Sequence, residues 1–598
     1  MSIDTALQDV TWDLEHLVDG EGPAGVDRLL DEAATRADAF AAAHAGKVAE
    51  LDGPGLVAAM DELAEIYELA GRAGNYAALR FSADTADPVN GALMQKAEER
   101  GTGIETTLLF FDLEWAAIDD AVADALIAAD GLDRFRHHLA NLRAYRPHLL
   151  SEPEEKILTE KNISGRSAWA RLFSEHMSAI EVEFPGEDER VAMEVALSRL
   201  QSPDREVRRA AQEAATQALQ PGLRTRAFIF NTLLHDKAVD DRLRKFPTWL
   251  SSRNLSNEAS DESVQALVAA VKSNYDIPQR WYRVKAGLLG LDKLADFDRV
   301  APVVTDDEEE YGWDAARDLV LDAYHSFSPE LGDVAQRFFD DDWIDAPVRP
   351  GKRGGAFCAY TVPSVHPYVL LNYTSRRRDV LTLAHELGHG VHAALARPRG
   401  PMEMSTPLTL AETASVFGET IVFGRLLDQA PTPASRLSLL AESLEGSIAT
   451  VFRQVAMNQF EDGVHTARRS EGELGVERLS ELWIASQEDL LGDAVELTEN
   501  YRSWWSYIPH FISTPGYVYA YAYGQLLALS VYARYLEEGE PFVPKYMEML
   551  ASGGSRSPEE LGRIVGIDLA DPAFWDNGLQ LVRTQLEEAE AAAAQATA

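Results

Sequence analysis

Cysteine is nearly absent. Cys358 is the single one in 598 residues, so no disulfide can form within the chain. The core must hold the fold without covalent staples, and a reducing compartment suits such a chain. Basic residues are also scarce: 55 Lys and Arg stand against 97 Asp and Glu, for a formal net charge of −42. Such a balance argues against nucleic acid and against an anionic membrane surface as partners, since both are met through basic faces. The excess acid reads as a solubilising surface. No apolar run approaches the roughly 18–20 residues that a membrane span needs. The opening Met1-Ser2-Ile3-Asp4 carries neither the basic stretch nor the apolar run of a secretory signal, and a cytoplasmic location is the expectation.

What the chain does contain is length, apolar residues and helical patterning. At 598 residues and 46% hydrophobic, it exceeds one ordinary domain and can bury a large core. The first 200 residues are rich in Ala, Leu and Glu, with little Gly or Pro punctuation. Ser151-Glu152-Pro153-Glu154 reads as a capping box that opens a helix, and Ser202-Pro203-Asp204 as a second start with proline at the first helical position. The stretch from Glu587 to Ala598 shows no core pattern and is expected to fray. Two short β-branched and aromatic runs, 355–362 and 368–373, break the helical rule and predict strands of a small sheet. Gly351, Gly354 and Gly355 precede them and suggest an exposed loop.

A helix is expected next, from Asp379 to Ala396, with Pro398 beyond its end. It contains His385-Glu386-Leu387-Gly388-His389. With about 3.6 residues per turn, side chains four apart stack on one face, so two imidazoles can share one tetrahedral zinc ion. Glu386 projects beside them, where a carboxylate can take a proton from an activated water. A chance pattern on a surface helix is the competing reading. Leu381, Leu383, Ala384, Leu387 and Val391 make the helix largely apolar, and two histidines and a glutamate buried there are costly without a partner such as a metal. A third ligand is then required. Glu412, in the apolar stretch Leu408 to Glu419, is the candidate; Glu419 lies on the same face and could orient a histidine or ligate in its place. His392 reads as packing or support.

Near the C-terminus, the run His510 to Tyr523 interleaves His510 with Tyr517, Tyr519, Tyr521 and Tyr523. Alternate tyrosines can be a strand and nothing more. Beside a zinc motif, however, imidazole and phenol groups are suitable donors to the oxyanion of peptide-bond hydrolysis.

Taken together, these pieces resemble the oligoendopeptidase F branch of the thimet oligopeptidase family of zinc peptidases. The matching segments run from Trp12-Asp13-Leu14 through Phe357-Cys358 and the His366–Tyr373 run. They continue through Arg378–His389 and Ala411-Glu412-Thr413-Ala414-Ser415 to the His510 segment. The resemblance implies a mostly α, two-lobed, multi-helical metallopeptidase, with a small β-sheet beside the zinc helix and a deep central channel that admits short peptides. An N-terminal helical lobe over residues 1–200 and a catalytic domain over 201–598 are expected. One Zn2+ would sit on His385, His389 and Glu412, with Glu386 as general base. His510, Tyr517 and Tyr521 would serve the oxyanion and substrate. Gly355, Ala356 and Tyr519 would contact the peptide, the strand by pairing with its backbone. This sequence carries one extra residue near Ser513–Gly516, so Tyr519, Tyr521 and Tyr523 compete for one role. Oligopeptides are the expected partners, and no oligomeric state is implied. The expected activity is endopeptidase; the rivals are a zinc carboxypeptidase on the same fold and an inactive peptide-binding homologue. Gly400-Pro401-Met402-Glu403-Met404 partly imitates an aminopeptidase signature but follows the zinc helix and lacks its Asn, so it carries no such meaning.

Overall fold

Aspartate and proline set many of the helix starts. Asp52 accepts the Gly55 N–H at 2.9 Å and Asp87 the Val89 N–H at 2.8 Å, each ahead of a proline in the first turn. The computed structural model describes residues 7–187, 189–304 and 310–596. It is mostly helical with small sheets. Among the described residues no helix is long and apolar enough to cross a membrane. Ser151 behaves as its sequence suggests, its N–H donating to Glu154 at 2.9 Å at the head of helix Glu152–Ser164. At the second start the cap is Asp204, which accepts the Glu206 N–H, so Pro203 stands outside helix Arg205–Leu219. The expected frayed tail is instead the end of helix Pro572–Ala596. Ala589, Ala592 and Ala593 are buried, and Glu588 and Glu590 pair with Arg436 and Arg280. Alanine needs only a close neighbour to be covered, and the absence of large apolar residues concealed that. Thr597 and Ala598 lie outside the described residues.

The chain divides into two compact units, each assembled from three separate stretches. The first comprises Met1–Arg146, Glu308–Leu426 and Val531–Asp568; the second comprises Pro147–Asp307, Leu427–Ser530 and Leu569–Ala598. Residue 200, where the sequence suggests a lobe boundary, falls inside the second unit.

In the first unit, helices Pro23–His44, Gly53–Ala83 and Pro88–Ala117 pack on one another. Their core joins Leu29, Leu56, Ile66 and Trp115 to Val362, Val365 and Tyr368. A three-stranded sheet lies beyond, in the order Ile344–Pro347, Tyr368–Tyr373, Phe357–Ala359. Its first pair is parallel and its second antiparallel, with Cys358 opposite Val369. Tyr368–Leu371 is buried on both faces, which explains an apolar run without alternation. The edge strand is shorter than the expected 355–362. Thr361 takes φ of 59°, outside any strand conformation, and Pro363 follows. Helix Arg377–Ala396 comes next, starting two residues before the expected Asp379. Asp379 sits inside its first turn, accepting N–H groups of Thr374 and Arg376.

In the second unit, the core gathers Phe230, Phe460, Trp483, Trp505, Phe511 and Val518. Asp298 is fully buried there, bound by Arg208 at 2.9 Å and Arg205 at 3.0 Å.

Candidate metal centre

Two helices of the first unit meet at the site. Arg377–Ala396 carries His385, Glu386 and His389; Leu408–Gln429 carries Glu412 and Glu419. They approach so closely at Gly388 that a Cβ there would lie 2.4 Å from the Ala414 carbonyl oxygen. The glycine inside the histidine motif is therefore a packing requirement, and it brings Glu412 up to the two rings.

The structure brings His385, His389 and Glu412 together. Their ligand-type atoms lie within 4.8 Å of one another. One carboxylate oxygen of Glu412 faces both Nε2 atoms, at 3.4 Å from His385 and 3.6 Å from His389. Among the described residues no second group of this kind converges. Ser415 donates its hydroxyl to the same Glu412 oxygen at 2.7 Å. Glu419 approaches the other side of His385, with its carboxylate 3.2 Å from Nδ1.

The electrostatics follow from burial among carboxylates. Burial alone would lower the His385 imidazole; the hydrogen bond to Glu419 and the charges of Glu412, Glu419 and Glu386 outweigh it and raise it to about 9. His389 is lowered to about 4 by burial, against the pull of Glu412. Glu386 is buried, and desolvation pushes it up to about 7, with His385 and the Cys358 backbone N–H opposing the rise. His392 is buried behind the pair, its ring 6.3 Å from that of Tyr360, and burial lowers it to about 3.

A cavity of about 360 Å³ opens beside Glu386 and His389, lined also by Ala356, Phe357, Cys358 and Tyr360. Ala356 is half-buried and Gly355 exposed, and Asn372 donates to the Gly355 carbonyl at 2.8 Å. Tyr360 is a residue that sequence reasoning missed. Among the described residues its hydroxyl is buried without a hydrogen-bond partner, and burial together with Cys358, Glu412 and Glu386 drives its pKa far upward. Its place at the end of the Phe357-Cys358-Ala359 run was the available signal. The Cys358 thiol is likewise pushed up by burial and by the Glu386 charge.

In the second unit, His510, Tyr517 and Tyr521 form a cluster of their own. His510 Nε2 lies 3.3 Å from the Tyr521 hydroxyl, and the Tyr517 ring stacks on His510 at 5.9 Å. Tyr519–Glu538 is a helix, not an alternating strand. With a helical period, Tyr519 and Tyr523 share one face and are fully buried, while Tyr521 turns the other way and is partly exposed. Tyr519, expected against the peptide, accepts a hydrogen bond from Asn257 at 3.0 Å in the interior. That expectation rested on the family resemblance, which left Tyr519, Tyr521 and Tyr523 competing for one role; the helical period separates them, with Tyr519 and Tyr523 inward and Tyr521 outward.

Glu403, in the segment resembling an aminopeptidase signature, has a structural task. It accepts the N–H groups of His137 and His138, each at 3.1 Å, at the head of helix Arg136–Ala144.

Comparison with known proteins places the chain in a family. Residues 198–581 match peptidase family M3, and residues 114–181 match oligopeptidase F. Oligopeptidase PepF of Bacillus subtilis is 26% identical over 535 residues, covering 88% of this chain and 79% of that protein. Group B oligopeptidase PepB of Streptococcus agalactiae is 26% identical over 525 residues, 86% of each. A crystallised protein of Chlamydophila abortus shares the fold with a TM-score of 0.88 at 23% identity, covering 97% of this chain and 98% of its own. Oligoendopeptidase-F from Enterococcus faecium does so with a TM-score of 0.69 at 21% identity, covering 95% and 99%. With a family match spanning well over half its length, this chain belongs to the M3 family of metallopeptidases, in the oligopeptidase F subfamily.

Proposed function

We propose that this chain is a zinc-dependent endopeptidase that hydrolyses short oligopeptides, with a single Zn2+ held by His385, His389 and Glu412. The observation that carries the reading is the convergence of two imidazole nitrogens and one carboxylate oxygen within 4.8 Å, beside a buried Glu386. The donor set fits the ion: three N/O ligands with room for a fourth are what catalytic zinc takes, and Glu419 supplies the carboxylate that commonly steadies a ligating histidine. When bound, zinc supplies Lewis-acid polarisation of a water and of the scissile carbonyl.

The remaining work falls to the chain itself. Glu386 takes a proton as the water oxygen bonds to the carbonyl carbon, and returns it to the amine nitrogen as the carbon–nitrogen bond breaks. Burial raises the Glu386 carboxyl, which favours a group that can both take and return a proton. The edge strand Phe357–Ala359, with Gly355 and Ala356 before it, receives the peptide backbone as an added strand. His510, Tyr517 and Tyr521 are assigned to the developing oxyanion on their chemistry and on the family resemblance.

Mass spectrometry of peptides capped at both ends tests the scheme, because an exopeptidase cannot cut them. Internal cleavage that a chelator abolishes is expected. Glu386→Gln should retain one zinc per chain by elemental analysis while turnover falls by roughly 10²–10⁴-fold. Wild-type turnover in that variant would end the proposal.

A further inference from the structure

We infer that a second cavity of the first unit, built around Asp112, is a recognition pocket for a cationic group of the peptide, either an ammonium or a guanidinium. The inference rests on the peptidase reading above and adds to it a substrate preference. The cavity holds about 330 Å³, within the usual range for small-ligand sites, and its walls include Tyr67, Phe111, Asp112, His138, Met402 and Ser405.

Its charge is unbalanced. Among the described residues Asp112 has no ion-pair or hydrogen-bond partner, and burial alone, with no cation beside it, pushes its carboxyl up to about 6. At neutral pH it is therefore mainly ionised, half-buried and uncompensated. His138 cannot neutralise it, since burial and the neighbouring His137 lower that imidazole to about 4. Tyr67 keeps its proton, because burial and the Asp112 charge push it up to about 12. An incoming cation would meet a carboxylate, the Tyr67 phenol and aromatic side chains, which together favour positive charge over a neutral apolar group.

The cavity is also built, not left over. Thr361, a β-branched residue, is held in the left-handed region at φ 59°, with its hydroxyl donating to the His366 carbonyl at 2.9 Å. That turn sends Tyr360 to the Glu386 cavity and Thr361 and Val362 to this one. Helix Gly53–Ala83 lies against Val362 at Gly71, where a Cβ would come within 2.6 Å of the valine side chain. Glu403 pins the backbone of His138 from the segment that supplies Met402 and Met404 to the wall. Ser405 lines both cavities, so a peptide beside Glu386 has this pocket as its immediate neighbour.

Two sources offer the cation: a Lys or Arg side chain, or the free amino terminus. Peptides should be matched in pairs that differ only by Lys or norleucine, scanned along the sequence, each with a free or an acetylated N-terminus. A side-chain source predicts a kcat/KM preference of roughly tenfold or more for Lys at one position, whatever the N-terminus. An N-terminal source predicts a similar preference for the free amine and a flat Lys scan. Asp112→Asn should bring the preference to near one. Titration of the same peptides onto Glu386→Gln, with and without Asp112→Asn, should show the same ratio in Kd without turnover. A wild-type enzyme that cuts Lys and norleucine, free and acetylated peptides alike would overturn the inference, as would a preference that survives Asp112→Asn. Failure to cut any peptide would instead bring down the peptidase reading, and the pocket with it.

Discussion

Glu419 shows how much a single carboxylate can govern without touching substrate. It lies 3.2 Å from His385 Nδ1, so it fixes which nitrogen of the ring is left for the Glu412 side. Glu419→Gln keeps the shape but weakens that hold. Zinc affinity, measured by competition with a coloured chelator, should fall about 10–100-fold with little change in folding. Unchanged affinity would mean that the ring is oriented by packing alone. At this scale the sequence was legible where chemistry is local. His385, Glu386 and His389 are set by helical spacing within five residues. Glu412 could be nominated, but its approach depends on two helices touching at Gly388, which no single segment encodes. Tyr360 had only its place just after a strand to mark it, and Asp112 nothing, because both owe their interest to burial and to neighbours far away in the chain.

Helix contacts decide the next level. The His385 and Glu412 helices meet at Gly388, where a methyl group would lie 2.4 Å from backbone. Gly388→Ala should push them apart, costing roughly 1–3 kcal/mol or more and lowering Tm by several degrees, with zinc stoichiometry well below one per chain. A variant that melts and loads as wild type would refute the close-packing account. The segment leading to Tyr517 is secured differently: Gly516 donates its N–H to Glu461 at 2.8 Å. Burial pushes Glu461 up to about 8, despite that hydrogen bond. The folded chain therefore holds a proton that the unfolded chain releases near pH 4.3. Stability from this group declines as pH rises through that interval, by up to about 1.4 kcal/mol per pH unit, and levels off above about 8. Glu461→Gln removes the titration, so its Tm relative to wild type should rise between pH 5 and pH 8. A constant difference would show that Glu461 ionises at ordinary acidity. Helices were read well from caps and apolar spacing, as at Ser151. The Tyr519–Tyr523 run left three tyrosines in competition, because letters two apart fit a strand or a helix alike, and only the helical backbone puts Tyr519 and Tyr523 on one buried face.

For the whole molecule, charge is the first consideration. A net charge of −42 repels itself in the folded state more than in the expanded one. Tm should rise as NaCl goes from about 10 mM to about 1 M, since the screening length shrinks from about 30 Å to about 3 Å. A falling Tm would mean that ion pairs outweigh the net repulsion. Composition made this legible, along with the helical class, but not the division into units, which depends on contacts between stretches hundreds of residues apart.

That division bears on how the protein is made. Because the first unit needs Val531–Asp568 and the second needs Leu569–Ala598, neither can close while the ribosome is still delivering the middle of the chain. Both units stay incomplete until the stretch 531–596 has emerged. Chaperone dependence during synthesis, and insolubility of fragments cut before the last helices, are the natural outcomes of that threading.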